Sequence, residues 1–209
     1  MTRLHTLHLV LAAALLASMT ACATLDKDEC LTADWRTIGY EDGINGHVAA
    51  RIGDHRRACA PYGVKPDLAA YTAGRDAGLR VFCQPARGYR YGLEGNLYKN
   101  VCPAPLAGPF EEAYRYGRRI YELDQEYSRL IHRRDSLYGE MEETRKAIAA
   151  HEAELVAAGV TPARRARLLD EIKSLSAQAA DMEHELENLH ATINNLRNER
   201  DALRARAPW

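Results

Sequence analysis

From Ala113 onward, apolar residues recur at alternating steps of three and four. The series runs Ala113, Tyr116, Ile120, Leu123, Tyr127, Leu130, Arg134, Leu137, Met141, Thr144, Ile148, His151 and Leu155. A second series starts at Leu168 and continues through Ile172, Leu175, Ala179, Met182, Leu186, Leu189, Ile193, Leu196, Arg200 and Leu203. Heptads sustained this long predict coiled-coil helices. Between them stands Gly159-Val160-Thr161-Pro162: a glycine stop, a threonine N-cap and a proline suited to a first helical turn. The two helices therefore fold back antiparallel, setting Leu155 near Leu168, Ile148 near Ile172 or Leu175, and Tyr127 near Ile193. Each arm of about 45 residues spans roughly 65–70 Å. Arg134 and His151 interrupt the seam, where polar residues lower stability and fix register. The competing arrangement opens the hairpin and pairs two chains.

Upstream the pattern changes. Residues 34–121 hold twelve of the fourteen glycines. Asp34 is a good N-cap for a helix running to about Arg57, and a second helix is expected from about Asp67 to Phe82. The stretch Gly88–Asn96 is compatible with helix or loop. Two segments match at a 43-residue offset, Pro66–Arg75 and Pro109–Arg118, both reading P-x-x-x-A-Y-x-x-G-R. A looser relative is Asp34-Trp35 followed by Gly39, Gly43 and Gly46. Glycine inside a helix costs about 1 kcal/mol relative to alanine, so its recurrence at three- and four-residue spacing must return something. Close helix approach under an aromatic ring is the reading preferred here; a Tyr/Gly surface for glycan is the alternative.

The first thirty residues read as an address. Arg3 precedes a short apolar run, Leu9–Ala17, of about nine residues against the roughly 20 that a spanning helix needs. It reads as the core of a signal peptide over residues 1–21. Ser18-Met19-Thr20-Ala21-Cys22 then resembles a bacterial lipobox, with Met19 where Leu is usual. The resemblance implies lipid attachment at Cys22, palmitate included, and a lipidated linker over 22–29. Several acyl chains hold a protein firmly where one holds it only marginally. Ala23 stands where an Asp would imply retention at the inner membrane, so the resemblance implies the outer membrane, periplasmic face.

In such a compartment Cys30, Cys59, Cys83 and Cys102 are expected to form two disulfides. No C-x-x-C pair occurs, which disfavours a zinc site, and neither metal nor cofactor is expected. Four cysteines allow three pairings. If the helix from Asp34 is unbroken, Cys30 and Cys59 lie roughly 35 Å apart, while a disulfide needs Cα atoms within about 7 Å. That argument favours Cys30–Cys83 with Cys59–Cys102.

Lys and Arg total 28 against 29 Asp and Glu, which disfavours a nucleic-acid binder because phosphate neutralisation needs a basic excess. Asp42, His55 and Arg75 would support catalysis only if a cleft gathered them. No nucleophile motif accompanies them, and the expected answer is that the protein is not an enzyme.

Several strings in order resemble a known family. They are Asp34-Trp35-x-x-x-Gly39-x-x-Asp42-Gly43, His55-Arg56-x-Ala58-Cys59, Ala70-Tyr71-x-x-Gly74-Arg75-x-x-Gly78-Leu79, and Tyr98-x-x-Val101-Cys102-Pro103. Over about residues 30–121 the chain resembles bacterial envelope lipoproteins known only as a domain of unknown function. The resemblance implies an envelope location and carries over no catalytic residue.

The whole chain is thus expected to be all-α, with a disulfide-stapled helical head over 30–108 and an antiparallel coiled-coil hairpin over 109–207, its turn near 159–162. The expected role is non-catalytic: an interaction or spacer protein whose partners are the membrane, through the lipid, and a periplasmic protein or a second copy, through the coil. Peptidoglycan binding by the head is the alternative.

Overall fold

A computed structural model of the chain describes residues 24–209, which leaves the signal peptide and Cys22 outside the described residues. Among the described residues there are helices and no strands. In chain order they are α1 (Lys27–Leu31), α2 (Trp35–Ile44), α3 (Arg51–Cys59) with a 3-10 turn (Ala60–Tyr62), α4 (Leu68–Phe82), α5 (Pro85–Leu93), α6 (Ala104–Leu155) and α7 (Pro162–Arg206). The fold is all-α, as expected. The described residues separate into two compact units, 24–88 with 97–112, and 89–96 with 113–209.

The long first helix is the main correction. Asp34 caps it as expected, accepting from the backbone N–H groups of Arg36 and Thr37. It stops at Ile44, however, and does not run to Arg57. Gly46 takes a left-handed φ of 67°, and the Gly46 and His47 N–H groups return to the carbonyls of Gly43 and Asp42. This is a Schellman ending, in which glycine supplies the one conformation that closes the last turn. The chain resumes as α3 in a new direction, and Cys59 comes back to Cys30. The bonds are Cys30–Cys59 and Cys83–Cys102, with Cα separations of 5.4 and 5.7 Å. The expected Cys30–Cys83 and Cys59–Cys102 pairing is wrong because its premise, an unbroken helix, is wrong.

Helices α2 and α4 meet backbone to backbone. A Cβ on Gly74 would overlap the Arg36 carbonyl oxygen and stand 2.8 Å from its carbon. One on Gly78 would stand 2.8 Å from the Ile44 nitrogen and 2.9 Å from the Gly43 Cα. Glycine is therefore required here for close approach, as the spacing suggested, but it meets the backbone of the facing helix and not the aromatic ring expected there. Beside this crossing, Cys30, Trp35, Cys59 and Tyr71 form a core, with Leu25, Ile38, Ile52 and Val64 packed against it.

The same construction occurs a second time. Gly88–Leu97 repeats Gly39–Val48 at a 49-residue offset, as G-Y-x-x-G-(I/L)-x-G. It forms α5, so the ambiguous stretch is helix to Leu93. Gly95 takes a φ of 75°, and the Gly95 and Asn96 N–H groups return to Gly92 and Tyr91, matching the bonds after α2. A Cβ on Gly92 would stand 2.6 Å from the Arg118 nitrogen, and one on Gly117 3.0 Å from the Leu93 nitrogen. Arg75 donates to the His47 carbonyl, and Arg118 to the Gly95 carbonyl. Between its two motifs the second copy is six residues shorter than the first, and a loop stands there in place of α3.

The hairpin forms, with Leu137 and Met141 meeting Leu186 as the Leu155–Leu168 pairing requires, while Tyr127, expected near Ile193, lies against Arg200. Helix α6 stops before the left-handed Gly159, and Thr161 caps α7 by accepting from the Arg164 N–H. Each predicted seam position is buried or half-buried, and Leu137, Met141 and Leu186 form a closed cluster with Met182 and Leu189. Ion pairs lace the flanks: Arg119–Glu199, Arg133–Glu185 and Arg164–Glu154. Arg200 turns its seam position to use, pairing with Asp124 and lying 5.0 Å from the centre of the Tyr127 ring. Arg134 instead leaves the seam to pair with the adjacent Asp135.

Candidate functional site

The densest polar chemistry lies inside the first unit, where α2, α3 and α4 converge. Asp42 on α2 and His55 on α3 are only 5% and 2% exposed. The Asp42 carboxylate takes three donors. Arg51 Nε reaches Oδ1 at 2.9 Å, while His55 Nε2 at 2.9 Å and the Tyr71 hydroxyl at 2.6 Å reach Oδ2. The other imidazole nitrogen, Nδ1, lies 2.8 Å from the Thr24 hydroxyl. Arg51 and His55 stand one turn apart on α3, which is why both reach one carboxylate.

This arrangement keeps a charge inside the fold. Burial pushes the Asp42 carboxyl up, but the hydrogen bonds from His55 and Tyr71 and the charges of His55 and Arg51 more than reverse it, and the carboxyl sits below its ordinary value. Burial and the same carboxylate raise the Tyr71 phenol, which stays neutral and donating. An unpaired buried carboxylate is strongly destabilising; with three donors it ties three helices together instead.

A hydroxyl, an imidazole and a carboxylate in line also make up a nucleophilic triad. In such a triad both imidazole nitrogens are engaged, as they are here; His55 is 2% exposed, and the cluster ties Thr24 to three helices. Arg75 does not join it; its guanidinium goes to the His47 carbonyl in the turn after α2. His47 lies in that turn, before α3 begins. Tyr71 and Thr24 were not anticipated. Tyr71 could have been singled out from the repeat, in which Tyr114 is its counterpart; the Tyr114 hydroxyl donates to the Asn96 carbonyl in the turn after α5, whereas Tyr71 donates to Asp42 on α2 itself.

In the second copy Tyr91 replaces Asp42, and its ring packs beside Tyr114 with centroids 6.3 Å apart. The charged cluster thus belongs to the first copy alone, the one that has α3. The two copies together fill a stretch that is similar to sequences already grouped. Residues 34–119 match a family described as a protein of unknown function, DUF2799. The chain carries a DUF2799 domain. Its boundaries enclose both glycine crossings, and most of the hairpin lies beyond them. No curated protein and no solved structure matches the chain.

At the far end of the hairpin, Arg164 forms a two-pronged pair with Glu154, both bonds 2.7 Å, and also faces Glu171. Its hydrogen bonds hold the start of α7 against the end of α6. Around this braced turn Val156 is 79% exposed and Leu169 55%. No described helix is long and apolar enough to cross a membrane. Among the described residues no group of three His, Cys, Asp or Glu side chains is placed to hold a metal ion.

Proposed function

We propose that this protein is an outer-membrane lipoprotein, acylated at Cys22 and facing the periplasm, that works without catalysis as a spacer or docking protein. The hairpin is its working part. The observation that carries this reading is the closed seam: each arm covers the other's apolar stripe, and apolar side chains remain bare near the braced turn. A helical rod of this kind offers a binding end roughly 65–70 Å from its base. Gly39, Gly43, Gly74, Gly78, Gly88, Gly92 and Gly117 are taken up by helix crossings, and the Tyr71 and Tyr114 hydroxyls by internal hydrogen bonds, which favours the hairpin over the head as the binding part.

Photo-crosslinking in intact cells tests it, with a reactive residue at position 157 near the turn or at position 146 along the arm. The expected result is a discrete adduct from position 157, absent from position 146 and lost in Val156→Asp. Adducts spread evenly along the arm, or pelleting of the purified chain with peptidoglycan through its head, would overturn the assignment. Anchoring is tested by Cys22→Ser, which is expected to release the protein from membranes.

A further inference from the structure

Beside the buried cluster, the outer side of α3 and the start of α4 form an open groove of about 420 Å³. Ala50, Ile52, Pro66 and Leu68 supply its apolar lining, and Arg56 and Lys65 its charge. Leu68 is 63% exposed. Among the described residues, the Arg56 and Lys65 side chains have no ion pair or hydrogen bond, whereas Arg51 is held by Asp42 and Arg57 by Asp54. The remaining nearby carboxylate, Asp67, accepts from the Ala70 N–H as the cap of α4. The groove thus presents two free cations over an apolar lining, and the carboxylates near it are already engaged.

The beginning of the described chain lies against the same helix. Thr24 is bonded to His55, and Leu25 packs on the core cluster to which Ile52 of the groove also belongs. Cys22 is two residues before Thr24, no more than about 7.6 Å away along the chain. The shorter second copy of the repeat has no α3, so the α3 side of the groove and the Arg51 and His55 arms of the clamp belong to the first copy alone.

We infer that this α3 face docks on the membrane, the groove receiving the phosphate of an anionic phospholipid between Arg56 and Lys65 while Leu68 enters the edge of the acyl region. The inference rests on acylation of Cys22. A lipid attached there holds α3 beside the headgroups at high effective concentration, so two cations suffice where a free protein would need a larger basic cluster. Docking fixes which side of the head meets the leaflet.

The test couples the chain from Cys22 to Trp209, disulfides intact, through the Cys22 thiol to a maleimide lipid. Vesicles are phosphatidylcholine alone or with one-third phosphatidylglycerol. In a Trp209→Phe background, energy transfer from Trp35 to a dansyl lipid reports the distance of the head from the surface. Transfer is expected to rise on the anionic vesicles and to fall again with added salt. At about fivefold per cation, Arg56→Gln with Lys65→Gln lowers the docked-to-undocked ratio about 25-fold. Lys146→Gln, on the hairpin, leaves it unchanged, and circular dichroism confirms that each variant is folded. Equal transfer on both vesicles, or an unchanged Arg56→Gln/Lys65→Gln variant, overturns the inference. Because coupling is chemical, these outcomes do not depend on acylation in cells. That is checked by incorporation of labelled fatty acid, whose absence would overturn the anchor reading and leave the vesicle result standing.

Discussion

Replacing Gly74 by alanine adds one methyl group at the crossing of α2 and α4. That carbon would overlap the Arg36 carbonyl oxygen and stand 2.8 Å from the carbonyl carbon and 3.0 Å from the Tyr40 nitrogen. All three atoms are backbone, so no side chain can swing aside; α2 and α4 must separate by on the order of 1 Å. Alanine gains about 1 kcal/mol of helix propensity, while overpacking of a tight core costs 1–3 kcal/mol or more. The neighbouring Gly39 and Gly78 contacts loosen with it, so the upper end applies and the net loss is about 2 kcal/mol. Gly53, inside α3 of the same unit, meets only the Arg57 guanidinium at 3.7 Å, so Gly53→Ala keeps the propensity gain of up to about 1 kcal/mol. Urea unfolding followed by Trp35 fluorescence in a Trp209→Phe background measures both. Midpoints shifting in opposite directions support the reasoning. A Gly74→Ala midpoint equal to or above the parent's would show that the helices do not touch through backbone.

Three further outcomes are expected. Non-reducing peptide mapping should recover Cys30 with Cys59 and Cys83 with Cys102; removing the first pair as Cys30→Ser/Cys59→Ser should cost about 3–4 kcal/mol, measured by urea unfolding. Asp42 is held below its ordinary value, so its contribution is fully present above about pH 4 and is lost as pH falls through the lower folded value. Asp42→Asn should therefore destabilise the first unit by about 3 kcal/mol at pH 7 and narrow its difference from the parent in thermal scans at lower pH. Spin labels at positions 127 and 196 should report a short distance in monomeric protein, and a long one would disprove the hairpin.

The hairpin was legible in the sequence because heptad spacing is a local signal that tertiary structure only has to accept. Its register followed from the turn, and Leu137, Met141 and Leu186 meet as that register requires. The head was harder to read, because its decisive event is a single glycine conformation. Asn45-Gly46 is a turn signal, yet the helical spacing on either side of it invited a continuous helix through both. The repeat held the correction: Cys59 and Cys102 are separated by the same 43 residues as Pro66 and Pro109, so they are equivalent positions, and equivalent cysteines each pair within their own copy. Asp42 and His55 were noticed as chemistry. Their contact required α3 to turn back, which no spacing along the chain expresses. Tyr71 and Thr24 reach the cluster from 29 and 31 residues away.

The two bridges follow one another along the chain without crossing, 30 to 59 and then 83 to 102. With the Cys22 thiol taken by its proposed lipid, a polypeptide threading into an oxidising space could join each remaining cysteine to the next one that arrives, and the native bonds would already be made. An oxidant that works in order of emergence is then sufficient, and a shuffling enzyme has nothing to repair. A chain whose bridges interlocked would have to break its first bond before it could finish.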